Sequence, residues 1–201
     1  MKNYNIAVVG ATGLVGRTFL QVLEEYDFPV KSIKMLASER SAGSKILFCG
    51  KEYTVEELNE NSFENVDIAL FSAGGTVSEK FAPIAKAAGA LVVDNSSRWR
   101  MEEGIPLIVP EINLGDYSGG GGIIANPNCS TIQSVLPLNP LKKFGLKRVC
   151  YTTYQAVSGS GQKGKNDLNL TLNGGEPKFY PYDISKTCIS RDRRFHVGRI
   201  H

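Results

Sequence analysis

Short apolar runs alternate with helical patterns through the first half of the chain, the arrangement that parallel βαβ construction produces. Ile6-Ala-Val-Val9 predicts a buried strand. Over 15–26 the residues Val15, Phe19, Val22 and Leu23 share one predicted helical face. Ile33-Lys-Met-Leu-Ala37 predicts a second strand and Val66-Asp-Ile-Ala-Leu-Phe71 a later one. Ala73-Gly-Gly75 then opens a helix that ends before Gly89. Leu91-Val-Val-Asp94 is the next strand, with Leu107-Ile-Val109 and Ile123-Ile-Ala125 as short candidates. The fold class expected is α/β, a doubly wound parallel sheet whose ligands gather at the carboxyl ends of the strands.

The pattern changes character near Pro127. A helix opening at Cys129 is followed by a predicted strand over 148–155, a glycine-rich loop and a helical segment near 165–172. Pro137 falls inside the first of these helices, where an interior proline costs roughly 3 kcal/mol. Two outcomes stay open: a kink at Pro137, or an early end with helix resuming near Leu141. Ser118-Gly-Gly-Gly-Gly122 reads as a flexible surface loop, since no strand-turn-helix pattern surrounds it.

Composition narrows the function classes. A net charge of +3 over 201 residues gives no nucleic-acid footprint. No apolar run reaches the length of a membrane span, and Met1-Lys-Asn-Tyr-Asn5 leads straight into a strand where a signal peptide would place its apolar region. The expected location is cytoplasmic, with neither nucleic acid nor membrane as a partner. The four cysteines, Cys49, Cys129, Cys150 and Cys188, form no metal or disulfide spacing. Free thiols follow, and most such residues are small buried hydrophobes.

Two places carry chemistry. Gly10, Gly13 and Gly16 follow the first strand and open the first helix. Glycine there permits a tight turn and close backbone approach, while the helix start attracts a pyrophosphate. At the end of the second strand, Arg40 stands between Ser38 and Ser41, a set that suits the 2′-phosphate of NADP. Glu39 in the same run suits a ribose diol, so NADP is favoured and NAD stays open. The second place is Cys129, preceded by Asn128 and standing directly before an apolar helical pattern. A thiol at a helix start sees the positive end of the dipole and exposed N–H groups, which favour a nucleophilic sulfur and can hold an oxyanion. Asn128 suits a cap or a substrate-orienting amide.

These elements, with Ser72-Ala-Gly-Gly75, Asp94-Asn-Ser-Ser-Arg-Trp-Arg100, Val109-Pro-Glu-Ile-Asn113, Asn126-Pro-Asn-Cys-Ser-Thr131 and Gln155-Ala-Val-Ser-Gly-Ser-Gly161, resemble the aspartate-β-semialdehyde dehydrogenase family in order and spacing. The resemblance runs from the start to about Tyr182. It implies a Rossmann-type NADP-binding domain over 1–127 and a partial α+β substrate and dimerisation domain over 128–182. It implies NADPH-dependent conversion of L-aspartyl 4-phosphate to the 4-semialdehyde through a Cys129 thioester, with release of inorganic phosphate, in amino-acid biosynthesis. Position by position, it gives cofactor contacts to Gly10, Thr12, Gly13, Leu14, Val15, Ser38, Arg40, Ser41, Ser72, Gly74, Ser158 and Gly159. Arg98 becomes the phosphate arginine, Gln155 the substrate-orienting amide beside the catalytic Cys129, and Asn128 a substrate contact. No metal is implied.

The sequence departs from the family pattern after Tyr182, leaving 183–201 as a divergent basic tail. The family implies a phosphate-binding lysine, a carboxylate-binding arginine and an acid/base histidine in a Gly-His-Ser context. Neither His196 nor His201 stands in that context. The tail reads as a shifted frame or an aberrant terminus, and the homodimer the family implies is not expected of this chain. An alternative follows: a catalytically impaired NADP-binding fragment.

Overall fold

The computed structural model describes residues 2–151 and 157–176. The chain divides at the Asn128–Cys129 bond into two units, Met1–Asn128 and Cys129–His201.

The first unit is built on β1 (Tyr4–Val9), β2 (Val30–Ala37), β3 (Lys45–Phe48), β4 (Lys51–Thr54), β5 (Glu56–Glu57), β6 (Ile68–Phe71), β7 (Leu91–Asp94) and β8 (Gly122–Ala125). Its helices are α1 (Leu14–Glu25), α2 (Gly75–Ala87) and the single turn α3 (Pro110–Asn113). Six strands form one sheet in the order β5-β2-β1-β6-β7-β8, every pair parallel. The order reverses between β1 and β6, the Rossmann-type doubly wound arrangement. The remaining two strands, β3 and β4, make a separate antiparallel hairpin.

Alternation along β1 sets the two faces. Ala7 and Val9 join the cluster of Phe63, Phe71, Phe81, Ala82, Ala85, Val92 and Trp99, which α2 covers. Ile6 and Val8 join the cluster of Leu20, Ile33, Met35, Ile46 and Phe48, which α1 covers. Strand side chains alternate between faces, so a strand buried on both sides must be apolar throughout.

Three expectations are corrected. The face of α1 is partly rotated: Phe19 and Leu23 pack on the core as expected, but Gly16 and Leu20 are the buried residues while Val15 and Val22 are exposed. The cause is the glycine, since a Cβ at Gly16 would lie 2.1 Å from the Gly10 carbonyl oxygen, so α1 seats with that side against the sheet end. The strand expected at Leu107–Val109 shrinks to one bridge, Leu107 to Ala125. Its neighbour Ile108 donates to Ala125 at 3.1 Å, and Pro110 starts α3 directly afterwards. The hairpin with its two-residue turn at Cys49-Gly50 was not anticipated. Both turn residues have positive φ (47° and 71°), as a tight hairpin turn requires.

In the second unit, α4 (Cys129–Leu138) is followed by a 3-10 helix, Asn139–Phe144, and later by α5 (Gly161–Leu172). Pro137 sits in the last turn of α4, and the chain tightens into the 3-10 helix directly after Leu138 without a break. Tightening at a helix end offers an alternative to the bond a proline cannot donate. Of the strand expected over 148–155, residues 148–151 are not in a strand. No described segment supplies a ladder for them, and strand N–H and C=O groups need one. Residues 152–155, Gln155 included, lie outside the described residues. Among the described residues no helix is long and apolar enough to cross a membrane.

Candidate functional site: a nucleotide crevice and a helix-start cysteine

The switch point lies between the carboxyl ends of β1 and β6. Gly10 follows β1 with φ +87°, and its N–H donates to Leu36 of β2 at 2.8 Å. Gly13 closes the turn by donating to the Gly10 carbonyl at 3.0 Å, and it then serves as the N-cap of α1. Having no side chain, Gly13 caps nothing, so the first-turn N–H groups of α1 are left for a ligand or solvent. Thr12 sits inside this turn, and its carbonyl accepts from Arg17 Nε at 3.3 Å. Leu14 and Val15 begin the helix and are 40% and 38% exposed, which frees both for contact with a bound group.

On the other side, Ser72 follows β6. Its N–H and hydroxyl both donate to the Val9 carbonyl, at 2.9 and 3.2 Å. The two turns are packed together: a Cβ at Gly10 would meet the Ser72 carbonyl carbon at 3.0 Å. Gly74, with φ +89°, is the N-cap of α2, again without a side-chain cap. Two helix starts uncapped by side chains thus flank one crevice at the reversal of strand order. Their partial positive charge and N–H groups fit a diphosphate, and the bare glycines supply the room.

At the end of β2, Ser38 caps the 3-10 helix Glu39–Ser41. The Ser41 N–H donates to Ser38 at 2.8 Å, which folds the turn and leaves Ser38, Glu39 and Arg40 exposed. Arg40 makes no ion pair or hydrogen bond with any described residue, so its fork of donors remains available.

The segment after β7 is the most bonded part of this end of the sheet. Asp94 is fully buried, and its Oδ2 accepts from Ser96 Oγ at 2.6 Å. Ser96 Oγ in turn accepts from the Arg98 N–H at 3.1 Å. Arg98 donates from Nε to Glu79 and from Nη1 to Glu102, both at 2.9 Å. Hydrogen bonds to Glu102 and Glu79 raise its already high pKa. Arg100 turns elsewhere: Nε donates to the Asn126 carbonyl at 2.9 Å and Nη2 to the Asn95 carbonyl at 3.1 Å. The Asn126 amide donates to Asn95 Oδ1 at 2.7 Å, tying the loop after β7 to the loop after β8. Sequence reasoning missed Asn95, Arg100 and Asn126. The available signal was their position at the carboxyl ends of two predicted strands.

The loop after β8 runs through Asn126 and buried Pro127 and Asn128 into Cys129, the first residue of α4. Cys129 is exposed, as are Cys49 and Cys150, which corrects the expectation of small buried thiols. Cys49 sits at the hairpin tip, where positive φ turns its backbone outward. Desolvation and the carboxylates of Glu24 and Asp27 push its thiol above the usual range, against an opposing contribution from Lys51. That shift disfavours the thiolate at Cys49. Gly159 lies in the 3-10 helix Val157–Ser160, which leads into α5, and the Ser158 side chain is outside the described residues.

Comparison with known proteins agrees with this fold. The family model described as "Semialdehyde dehydrogenase, NAD binding domain" matches residues 5–118, more than half of the chain. The aspartate-semialdehyde dehydrogenase of Aquifex aeolicus is 58% identical over 183 residues, covering 89% of this chain and 54% of its own length. The crystal structure of aspartate semialdehyde dehydrogenase II from Vibrio cholerae, complexed with ASA, superposes with TM-score 0.81 at 44% identity, covering 91% of this chain and 56% of that one. The Candida albicans enzyme, solved with NADP, superposes with TM-score 0.63 at 27% identity, covering 73% and 49%. The chain spans about half the length of the relatives it matches. It belongs to the semialdehyde dehydrogenase family, and its resemblance inside that family is to the aspartate-semialdehyde dehydrogenases.

Proposed function

We propose that this chain carries the cofactor site and the nucleophile for NADPH-dependent reductive dephosphorylation of L-aspartyl 4-phosphate to L-aspartate 4-semialdehyde. The observation that carries the reading is Cys129: an exposed thiol beginning α4 immediately after the strand-end loop of a dinucleotide-binding sheet. Its Sγ attacks the acyl carbon, the C–O bond to phosphate breaks, and inorganic phosphate leaves. N–H groups at a helix start stabilise the oxyanion of that addition. A nicotinamide, when bound, supplies the hydride that reduces the resulting thioester, after which the aldehyde departs and the Cys129 thiolate is restored. Covalent capture suits the task because a thioester accepts hydride where a carboxylate does not.

NADP is the nucleotide the β2 turn supports. Exposed Arg40, beside Ser38 and Ser41, offers charge and donors for a 2′-phosphate, and a relative carries NADP in its crystal structure. The substrate phosphate falls to Arg100 instead of Arg98. Arg98 already spends Nε and Nη1 on two carboxylates, with which a phosphate dianion would compete, whereas Arg100 bridges the loops after β7 and β8 through the Asn95 and Asn126 carbonyls, at the carboxyl ends of the strands. Asn128 and Gln155 orient the acyl group.

The test is phosphate-dependent, NADP-linked oxidation of the semialdehyde by the chain, with Cys129→Ser expected to abolish it. Arg40→Ala is expected to weaken NADPH roughly tenfold or more while sparing NADH, by loss of charge-assisted bonds. NADPH binding without any Cys129-dependent turnover would establish the binding-only alternative.

A further inference from the structure

Arg98 and Trp99 stand between α2 and the site. The Trp99 indole N–H donates to Ser78 Oγ at 2.8 Å, and both residues are buried, Ser78 to 1% exposure. The Arg98 guanidinium lies 4.5 Å over the Trp99 ring, so the charge and the ring hold each other. Glu79, the residue after Ser78, grips the same guanidinium, and Glu102 closes it from the far side. On the main chain, the Arg98 N–H is held by Ser96, itself held by buried Asp94. One residue beyond Trp99, Arg100 reaches the Asn95 and Asn126 carbonyls. Two adjacent positions on the second turn of α2 therefore anchor the two residues that precede Arg100.

We propose that Ser78 and Glu79 are positioning residues for Arg100: through Trp99 and Arg98 they hold residues 95–100 in the one arrangement that presents Arg100 beside Asn126. The proposal rests on the phosphate-binding role given to Arg100 above. Neither residue touches the anion. Their part is preorganisation, because a loop that is loose before binding must be ordered at the expense of affinity. The anchors stand on the helix whose start flanks the nucleotide crevice, so the same helix serves both ligands.

The chain's single tryptophan makes the idea measurable, since Trp99 emission reports the latch directly. Inorganic phosphate is titrated into the full chain, read by Trp99 fluorescence and by phosphorus NMR line width, with NADPH titrated separately. Ser78→Ala and Glu79→Gln are each expected to weaken phosphate about five- to tenfold, the scale of one hydrogen bond, with the NADPH dissociation constant changed less than twofold. Ser78→Ala also red-shifts Trp99. Glu79 is well exposed, so its variant folds even where burial makes Ser78→Ala costly. Phosphate affinity within twofold of the unmodified chain in Glu79→Gln and Ser78→Ala overturns the proposal, as does an equal loss for phosphate and NADPH. Absence of any phosphate response in the unmodified chain overturns the Arg100 reading and this proposal together, and so is told apart from a failure of the latch alone.

Discussion

The two strand-to-helix turns at the switch point look alike in sequence and differ in what their glycines are for. In the β1–α1 turn the glycines are demanded by packing. A Cβ at Gly16 would lie 2.1 Å from the Gly10 oxygen and 2.8 Å from Ala11 Cα, both backbone atoms that cannot step aside. In the β6–α2 turn the space is open. Nothing lies within 4 Å of a Cβ at Gly74, and one at Gly75 meets only Arg98 Cβ at 3.9 Å. Gly74 is held to glycine by its φ of +89°, whereas Gly75 is held by neither space nor dihedral. The first turn is thus a closed joint of the fold, and the second is a mouth kept clear.

The comparison breaks most visibly at Gly16. Gly16→Ala is expected to destabilise the first unit by about 3 kcal/mol or more and to abolish nucleotide binding, checked by urea unfolding and NADPH titration. A stable, nucleotide-binding Gly16→Ala would show that the joint can open. Gly74→Ala should cost roughly 1–2 kcal/mol, since an L residue pays for the left-handed backbone with no collision added. Gly75→Ala sharpens the contrast. It should leave stability unchanged or raise it by a few tenths of a kcal/mol, about what helix propensity supplies at a first-turn position, while lowering NADPH affinity. Unchanged affinity would remove the α2 start from the crevice.

The smallest expected effect lies at the opposite end of the sheet. Asp67 accepts from the Asn5 N–H at 2.8 Å and has Lys2 at 3.5 Å, and these hold its carboxyl below the usual range. A depressed carboxyl stabilises the fold above its unfolded pKa and loses that contribution as pH falls through the folded value. Asp67→Asn should therefore lower the melting temperature slightly at neutral pH, with the difference closing below about pH 4. No change at neutral pH would mean that solvent screens the bond completely.

Much of this was legible beforehand. β1 is covered on both faces and must be apolar throughout, and β6 and β7, buried on one face and half-buried on the other, are nearly as apolar, so all three stand out as short apolar runs. Gly74 and Gly89 likewise marked the ends of α2 through backbone conformations that other residues resist. The hairpin escaped notice because Cys49 occupies a left-handed position usually given to asparagine, aspartate or glycine. β5 escaped because two exposed glutamates carry no apolar pattern, and it exists only through its ladder to β2. The face of α1 was only half legible, Phe19 and Leu23 but not Val15 and Val22, because hydrophobic periodicity counts side chains, and the contact that orients this helix is made by a residue without one.

The two arginines mark the same boundary within the site. Residue types and spacing were enough for an α/β dinucleotide fold, for Cys129 at a helix start and for a cationic turn at Arg40, because those depend on local conformation and on chemistry each residue carries with it. The partners that Arg98, Trp99 and Arg100 take are distant in sequence: Glu79 and Ser78 on α2, and Asn126 after β8. Local propensity is blind to such pairings, and only the packed sheet, by bringing those strand ends and the helix together, gave Arg98 its two carboxylates and Arg100 the carbonyls of Asn95 and Asn126.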